Sequence, residues 1–144
     1  MEVAMRNDVT LREEYLLKIW DNYIQDNLVA STPCKAAIYD FKSRRLIVTS
    51  DNFYPLECEI YNIVEGMTYP ELVYKDGICI QNRQYKVKLA DGKNGIYATD
   101  GEDGCTVCKT CTLLIVGVHD GRVTAAQCNE QIMKLGDYFR RLRL

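Results

Sequence analysis

The chain has 144 residues, of which 47% are apolar and 26% charged, and its formal net charge is −2. This length and apolar content suit one domain with a single buried core, and the negative charge excludes a protein whose whole surface neutralises nucleic-acid phosphates. No apolar run approaches the roughly 18 residues needed to span a bilayer, and the charged N-terminus lacks a signal peptide, so we expect a cytoplasmic protein that is not transmembrane.

The first predicted element is an amphipathic helix over residues 11–28, preceded by a flexible extension at residues 1–10. At about 100° per residue its apolar positions form two adjacent stripes. The first stripe holds Leu17, Ile24 and Leu28, and the second holds Leu16, Ile19, Trp20 and Tyr23. Their combined width exceeds what one packed layer usually buries. We therefore expect an aromatic edge near solvent, on a single domain formed by residues 11–144.

The central part of the chain predicts about seven strands and one or two short helices. The strand candidates are Ala36–Asp40, Leu46–Thr49, Ile78–Gln81, Tyr85–Leu89, Ile96–Thr99, Cys105–Lys109 and Thr112–Val118, and the helix candidates are Glu57–Val64 and Tyr69–Val73. In one strand Tyr85, Val87 and Leu89 alternate with lysines, which indicates a half-exposed strand. Turn dipeptides such as Asp100-Gly101 and Asp103-Gly104 separate the strands, and such short links favour antiparallel neighbours.

The C-terminal segment predicts a helix that begins after Thr124. Thr124 followed three residues later by Gln127 is a capping box. Apolar residues then recur every three or four positions, at Cys128, Ile132, Leu135, Phe139 and Leu142, with Tyr138 on the flank. The order of elements predicts an α+β fold. Its economical arrangement packs the N- and C-terminal helices together on one sheet face and the short helices on the other.

His119 and the acidic segment Asp100–Asp103 are candidates for a catalytic site and a metal site. His119, the single histidine, adjoins a turn dipeptide and has no nucleophile motif nearby, so we expect a strand-end histidine. The acidic segment Asp100–Asp103 lacks the ligand alternation of an EF-hand and predicts a hairpin tip instead. No enzyme motif, metal site or cofactor is predicted.

The seven cysteines are predicted to be reduced thiols, since no export signal accompanies them. Cys105, Cys108 and Cys111 have the spacing of a zinc motif but lack a second ligand pair. On a strand, Cys108 would point away from the other two, which favours a structural role over zinc.

Two surface features suggest binding. Cations near the end of the last helix, Lys134, Arg140, Arg141 and Arg143, either attract acidic lipid headgroups or compensate the helix dipole. If the terminal helices pack side by side, Trp20, Tyr23, Leu135 and Tyr138 line a shallow groove that suits proline-rich ligands, as an alternative to simple burial in the core.

Several blocks of the sequence resemble the profilin family. Trp20-x-x-Tyr23 is similar to the aromatic pair near the start of profilins, and the chain also matches at Ala36–Ile38, Ser50–Phe53, Gly104–Thr110, Gln127–Asn129 and Leu135–Tyr138. The resemblance covers residues 15–144 and is most specific in the last helix. It implies a seven-stranded antiparallel sheet between two pairs of helices, and a monomer that binds actin monomers, proline-rich proteins and phosphoinositides.

The sequence also departs from the profilin pattern. The resemblance implies an actin-facing surface at Tyr97, Thr99, Ala126 and Glu130, but positions where many profilins are basic hold Tyr97, Thr99 and Asp100, and Ala126 replaces another basic residue. The second-strand tryptophan is replaced around Leu46-Ile47, and the aromatic terminal residue by Leu144. These departures resemble the divergent, testis-type branch of animal profilins and predict weakened binding of actin and of proline-rich ligands. The alternative is a phosphoinositide-reading adaptor that does not bind actin.

Overall fold

The computed structural model describes residues 14, 17–18, 35–50, 52–91 and 95–144. In these residues a seven-stranded antiparallel sheet of order β2-β1-β7-β6-β5-β4-β3 carries three helices. The strands are β1 (Lys35–Asp40), β2 (Leu46–Thr49), β3 (Ile78–Ile80), β4 (Arg83–Ala90), β5 (Gly95–Asp100), β6 (Asp103–Lys109) and β7 (Leu113–His119). The helices are α1 (Glu57–Thr68), α2 (Pro70–Asp76) and α3 (Ala125–Arg141). The predicted α+β fold with its antiparallel sheet is confirmed.

Strand alternation divides the core into two layers. Along β7, Leu114 and Val116 face a cluster that includes residues of α1 and α2, whereas Leu113 and Ile115 face a cluster built on α3. The short helices and the C-terminal helix therefore lie on opposite faces, as predicted. Residues 14 and 17–18 are helical; the rest of the predicted first helix and the extension at residues 1–10 lie outside the described residues.

The last helix begins where the sequence predicts. The Thr124 hydroxyl accepts from the main-chain N–H of Gln127 at 3.1 Å, and the Gln127 side chain accepts from the N–H of Thr124 at 2.9 Å. The capping box is confirmed. At the other end of α3 the chain turns back, and the main-chain oxygen of Leu144 accepts 3.0 Å hydrogen bonds from the Thr110 and Thr112 hydroxyls. The helix is thus fixed against the sheet at both ends.

The alternation predicted for β4 is wrong at its last residues. Val87 pairs with Ala98, but Leu89 pairs with Tyr97, so Lys88 is an extra residue in the ladder. Such a β-bulge moves the following side chains to the other face. Leu89 is therefore 61% exposed, and Ala90 takes the buried position.

A second correction concerns the hairpin between β5 and β6. Asp103-Gly104 was predicted as a turn, but both residues lie within β6, opposite Asp100 and Thr99. Gly101, whose φ of 65° is readily adopted only by glycine, lies between the strands with Glu102 and makes the reversal in two residues. No further turn is needed, so the strand begins at once.

A buried carboxylate joins α1 to the turn between β3 and β4. Glu59 is only 4% exposed, and its oxygens accept from the main-chain N–H groups of Gln81 (2.7 Å), Asn82 (2.9 Å) and Leu56 (2.7 Å). The Cys79 thiol donates a fourth hydrogen bond at 3.2 Å. Gln81 and Asn82 have positive φ angles of 51° and 63°, which are uncommon for residues other than glycine. We call these groups the Glu59 junction; it holds a tight turn in an unusual conformation.

Candidate functional site

Two of the residues predicted to face actin lie half-exposed on a part of the sheet that no described helix covers. Tyr97 is opposite Leu89 of β4 and Thr106 of β6, and Thr99 is opposite Lys86 and Gly104. Their neighbours Ile96 and Ala98 are in the α1–α2 cluster, so Tyr97 and Thr99 point to the side of α3. We call the surface formed by Lys86, Leu89, Tyr97 and Thr99 the β4–β5 face.

Helix α3 leaves this face uncovered because it packs farther along the sheet. Ile132 lies directly over Gly117 of β7, where a Cβ atom would come within 2.6 Å of the isoleucine. Asn129 forms a hydrogen bond with the buried Thr106 of β6. Among the described residues, α3 therefore packs mainly on β6 and β7, and the β4–β5 face lies beside the helix.

The other two predicted residues lie one turn apart on α3. Ala126 and Glu130 are both exposed, and Glu130 forms an ion pair with Lys134 at 2.8 Å. This ion pair lowers the pKa of the Glu130 carboxyl. Since Asn129, next to Glu130, reaches the strand that flanks Tyr97, the structure brings all four predicted residues to the same side of the sheet.

The β4–β5 face is more apolar than the family pattern implies. The Tyr97 phenol is uncharged near neutral pH, and burial raises its pKa further. Asp100, which stands where a basic residue is common, is bound to Arg83 at 2.9 Å at the hairpin, and Arg83 also pairs with Asp103. The acidic segment is thus a hairpin tip closed by an arginine, in agreement with its prediction.

The predicted proline-rich groove is described only on α3. Leu135 is 1% exposed within the α3 cluster, whereas Tyr138 is 40% exposed on the flank of the helix. Trp20 and Tyr23 lie outside the described residues, so the pairing of the terminal helices stays a prediction. Leu144 packs against the α3 cluster as well.

The four cations predicted to bind phosphoinositides do not form one cluster. Lys134 is paired with Glu130, and about 10 Å of helix separates it from Arg141. Arg140 is held by the Asp137 carboxylate at 2.9 Å and by the main-chain oxygen of Lys109 at 2.6 Å. Arg141 and Arg143 are exposed and have no ion pair among the described residues.

Sequence reasoning missed other cations at the end of the sheet where Arg141 and Arg143 lie. The N–H of Phe41 donates to the oxygen of Thr112 at 2.9 Å, and the N–H of Thr112 donates to that of Leu144, so two turns meet the end of the chain. This end of the sheet, which we call the basic end, carries Lys42, Arg44, Arg45, Lys109, Arg141 and Arg143. The run of basic residues from Lys42 to Arg45 was visible in the sequence. Which other cations lie at the same end of the sheet depends on the strand order, which the sequence does not show.

The remaining candidates take structural positions. His119 ends β7, is 5% exposed, and has its Nδ1 atom 3.0 Å from the oxygen of Asp120. Cys105 and Cys108 face opposite layers of the core, as predicted. Cys111 is exposed in the turn after β6, which ends at Lys109 as the predicted strand does. Among the described residues, no cluster of three metal-ligating side chains occurs, and none of the six cysteines forms a disulfide.

Comparisons with known proteins agree with this geometry. The model of the family described as Profilin matches residues 18–144. Rat profilin-4 is 29% identical over 107 residues, covering 74% of this chain and 82% of the relative. Profilin IA of Acanthamoeba castellanii has a TM-score of 0.77 at 22% identity, covering 87% of this chain and 99% of its own.

A third similar structure is a complex of LokiProfilin2 with rabbit actin. Its TM-score is 0.69 at 12% identity, over 90% of this chain and 98% of the other. At these identities the solved structures establish the fold alone. Within the described residues, no helix is long and apolar enough to cross a membrane.

Proposed function

The chain belongs to the profilin family, and we propose that it is a monomeric, cytoplasmic actin-monomer-binding regulator of the actin cytoskeleton that acts by binding and not by catalysis. The family membership supports this role, as does the likeness in fold to a profilin that forms a complex with rabbit actin. The similarity to rat profilin-4 is compatible with the divergent animal branch that the sequence resembles.

The observation that carries the proposal is the open β4–β5 face beside α3. Tyr97 and Thr99 lie on a sheet surface that the described helices leave uncovered, next to the exposed Ala126 and Glu130. A folded partner needs such a continuous surface on rigid elements. We propose reduced affinity for actin, because Tyr97, Thr99 and Ala126 supply none of the cations that would attract an acidic partner.

Titration of fluorescently labelled monomeric actin with the protein tests this function. We expect saturable binding that Glu130→Lys strengthens, because the substitution replaces an exposed anion by a cation on the surface that faces an acidic partner. The matched control is Glu71→Lys on α2, a change of the same charge on the opposite side of the sheet. Absence of binding at tens of micromolar protein would contradict the proposal.

Weak binding of proline-rich segments is part of the same proposal. The exposed Tyr138 supplies one aromatic wall, while Leu135 is buried and no aromatic residue stands at position 144. Trp20 is the single tryptophan, so its fluorescence reports on the groove directly. We expect a small shift on addition of a proline-rich peptide, abolished by Tyr138→Ala; an emission that the peptide leaves unchanged argues against the groove.

The basic end favours a second candidate function, an adaptor that binds phosphoinositide headgroups. Lys42, Arg45, Arg141 and Arg143 are exposed at this end of the sheet, and each cation contributes roughly 1 kcal/mol near an anionic surface. Arg44 and Lys109 lie on the α1 side of the same end, over the rings of Tyr61 and Phe41. Co-sedimentation with phosphoinositide-containing vesicles tests it. We expect Arg141→Ala with Arg143→Ala to weaken sedimentation and Lys134→Ala, at a distance from the cluster, to have little effect. Strong vesicle binding without actin binding would favour this adaptor.

A further inference from the structure

The β-bulge at Lys88 places a leucine in solvent on an otherwise ordered strand. Leu89 is 61% exposed although β4 is held on both sides at this point. On one side Leu89 pairs with Tyr97. On the other, the N–H of Ala90 donates to the Tyr74 hydroxyl at 2.7 Å, and that hydroxyl donates back to the Ala90 oxygen at 3.3 Å. The exposed leucine therefore sits on a rigid platform.

Leu89 and its apolar neighbours together form a patch on the surface. Tyr97, directly opposite, is half-buried and neutral. Met133 of α3 reaches the start of β5, where its Cε atom lies 3.0 Å from the position a Cβ of Gly95 would occupy. Leu89, Tyr97 and Met133 thus form a strip between the edge of the sheet and α3. Apolar side chains on rigid elements are the usual anchors of protein interfaces.

The charged residues around the apolar strip indicate which kind of partner surface the strip can bind. Lys86 lies on the same face and Lys88 is the neighbouring bulge residue; both are exposed and have no ion pair among the described residues. A second copy docked about a two-fold axis on Leu89 would bring these lysines together, which is repulsive. A partner surface with carboxylates around an apolar hollow is attracted instead.

We infer that Leu89 is the central anchor of the partner-binding surface, and that it inserts into an apolar hollow of a folded partner protein rimmed by carboxylates. The inference rests on the proposed function and deepens it, because the partner surface would be that of the actin monomer. Binding through this face depends on apolar burial, with Lys86 and Lys88 contributing at the rim. The alternation of residues in the sequence assigned Leu89 to the buried side of the strand, so the sequence did not predict an exposed anchor at this position.

The test compares Leu89→Ser with Leu72→Ser in the titration of labelled monomeric actin. Leu72 is a matched control, since it is 47% exposed on α2. Loss of a buried leucine weakens binding by about tenfold or more, so we expect that loss for Leu89→Ser and no change for Leu72→Ser. Leu89→Met, which keeps an apolar side chain, should retain binding. Raising the salt concentration several-fold should weaken the wild-type protein only modestly.

The outcomes separate the inference from the function on which it rests. If the wild-type protein binds actin and Leu89→Ser binds equally well, the anchor is wrong while the function stands. If the wild-type protein does not bind actin, both fail. Sedimentation velocity gives a further check: a wild-type dimer that Leu89→Ser dissociates would overturn the inference in favour of a second copy. Thermal unfolding verifies that each variant is folded. If Leu89→Ser does not fold, Leu89→Thr takes its place in the titration.

Discussion

The Glu59 junction and the β4–β5 face lie on different sides of the sheet and have opposite chemistry. At the junction a carboxylate is buried, and four donors satisfy its oxygens. At the face a leucine is exposed although a strand and a helix fix its backbone. Buried polar groups that are fully paired contribute specificity to a fold, whereas exposed apolar groups on a rigid frame remain available to a partner. Substitutions at the two places should therefore separate stability from binding.

The largest expected effect is at the junction. Glu59→Gln should lower the free energy of unfolding by about 2–4 kcal/mol, because the amide NH₂ would face main-chain donors and leave some of them unpaired. Urea denaturation at neutral pH measures this change. Glu57→Gln, in the same helical turn but exposed, is the control and should cost less than about 1 kcal/mol. Equal losses in the two variants would contradict the role assigned to Glu59.

In the wild-type protein, acidic pH should remove the contribution of Glu59 to the free energy of unfolding. Burial alone would raise the pKa of its carboxyl, but hydrogen bonds from Asn82, Leu56, Cys79 and Gln81 outweigh burial and hold the pKa below the ordinary value of 4.5. The stabilisation is therefore complete above the pKa of the unfolded chain and is lost as pH falls through the lower pKa of the folded protein.

Comparing the wild-type protein with Glu59→Gln isolates this titration, because all other carboxyl groups are common to both proteins. The difference in their free energies of unfolding should narrow as the pH falls below the ordinary carboxyl range. A difference that stays constant down to strongly acidic pH would show that the ionised form of Glu59 contributes nothing.

A smaller effect is expected where α3 covers the sheet. A Cβ atom on Gly136 would lie 2.5 Å from the Cys108 sulphur. Gly136→Ala gains about 1 kcal/mol of helix propensity but overpacks the core by about 1–3 kcal/mol, so we expect a net loss of about 1 kcal/mol in urea denaturation. In a Cys108→Ala background the clash disappears, and the same substitution should become neutral or stabilising. An unchanged loss there would rule out the proposed contact.

Local signals in the sequence predicted much of the fold. The capping box at Thr124 and Gln127 and the heptad-like spacing of α3 depend only on residues three or four apart, so both were predictable. The strands also follow local alternation, and β2 has the predicted bounds, Leu46–Thr49. The resemblance in the last helix identified the family that the comparisons then confirmed.

Features that depend on distant contacts were not predictable from the sequence. Glu59 finds three of its four donors 20, 22 and 23 residues along the chain, and nothing in the sequence around it marks a buried carboxylate. The basic end forms because two turns and the end of α3 meet, which requires the strand order. The bulge at Lys88 is set by pairing with β5, so alternation alone assigned Leu89 to the wrong side.

The smallest expected change is at this misassigned residue. Leu89→Ser should alter the free energy of unfolding by less than about 0.5 kcal/mol, as for other exposed sites, whereas Val87→Ser, at a position only 6% exposed, should cost about 2 kcal/mol or more. Uninterrupted alternation would bury both residues and predict similar losses. Urea denaturation of the pair therefore tests the bulge without any partner, and a large loss at Leu89 would return this leucine to the core and remove the apolar strip from the binding surface.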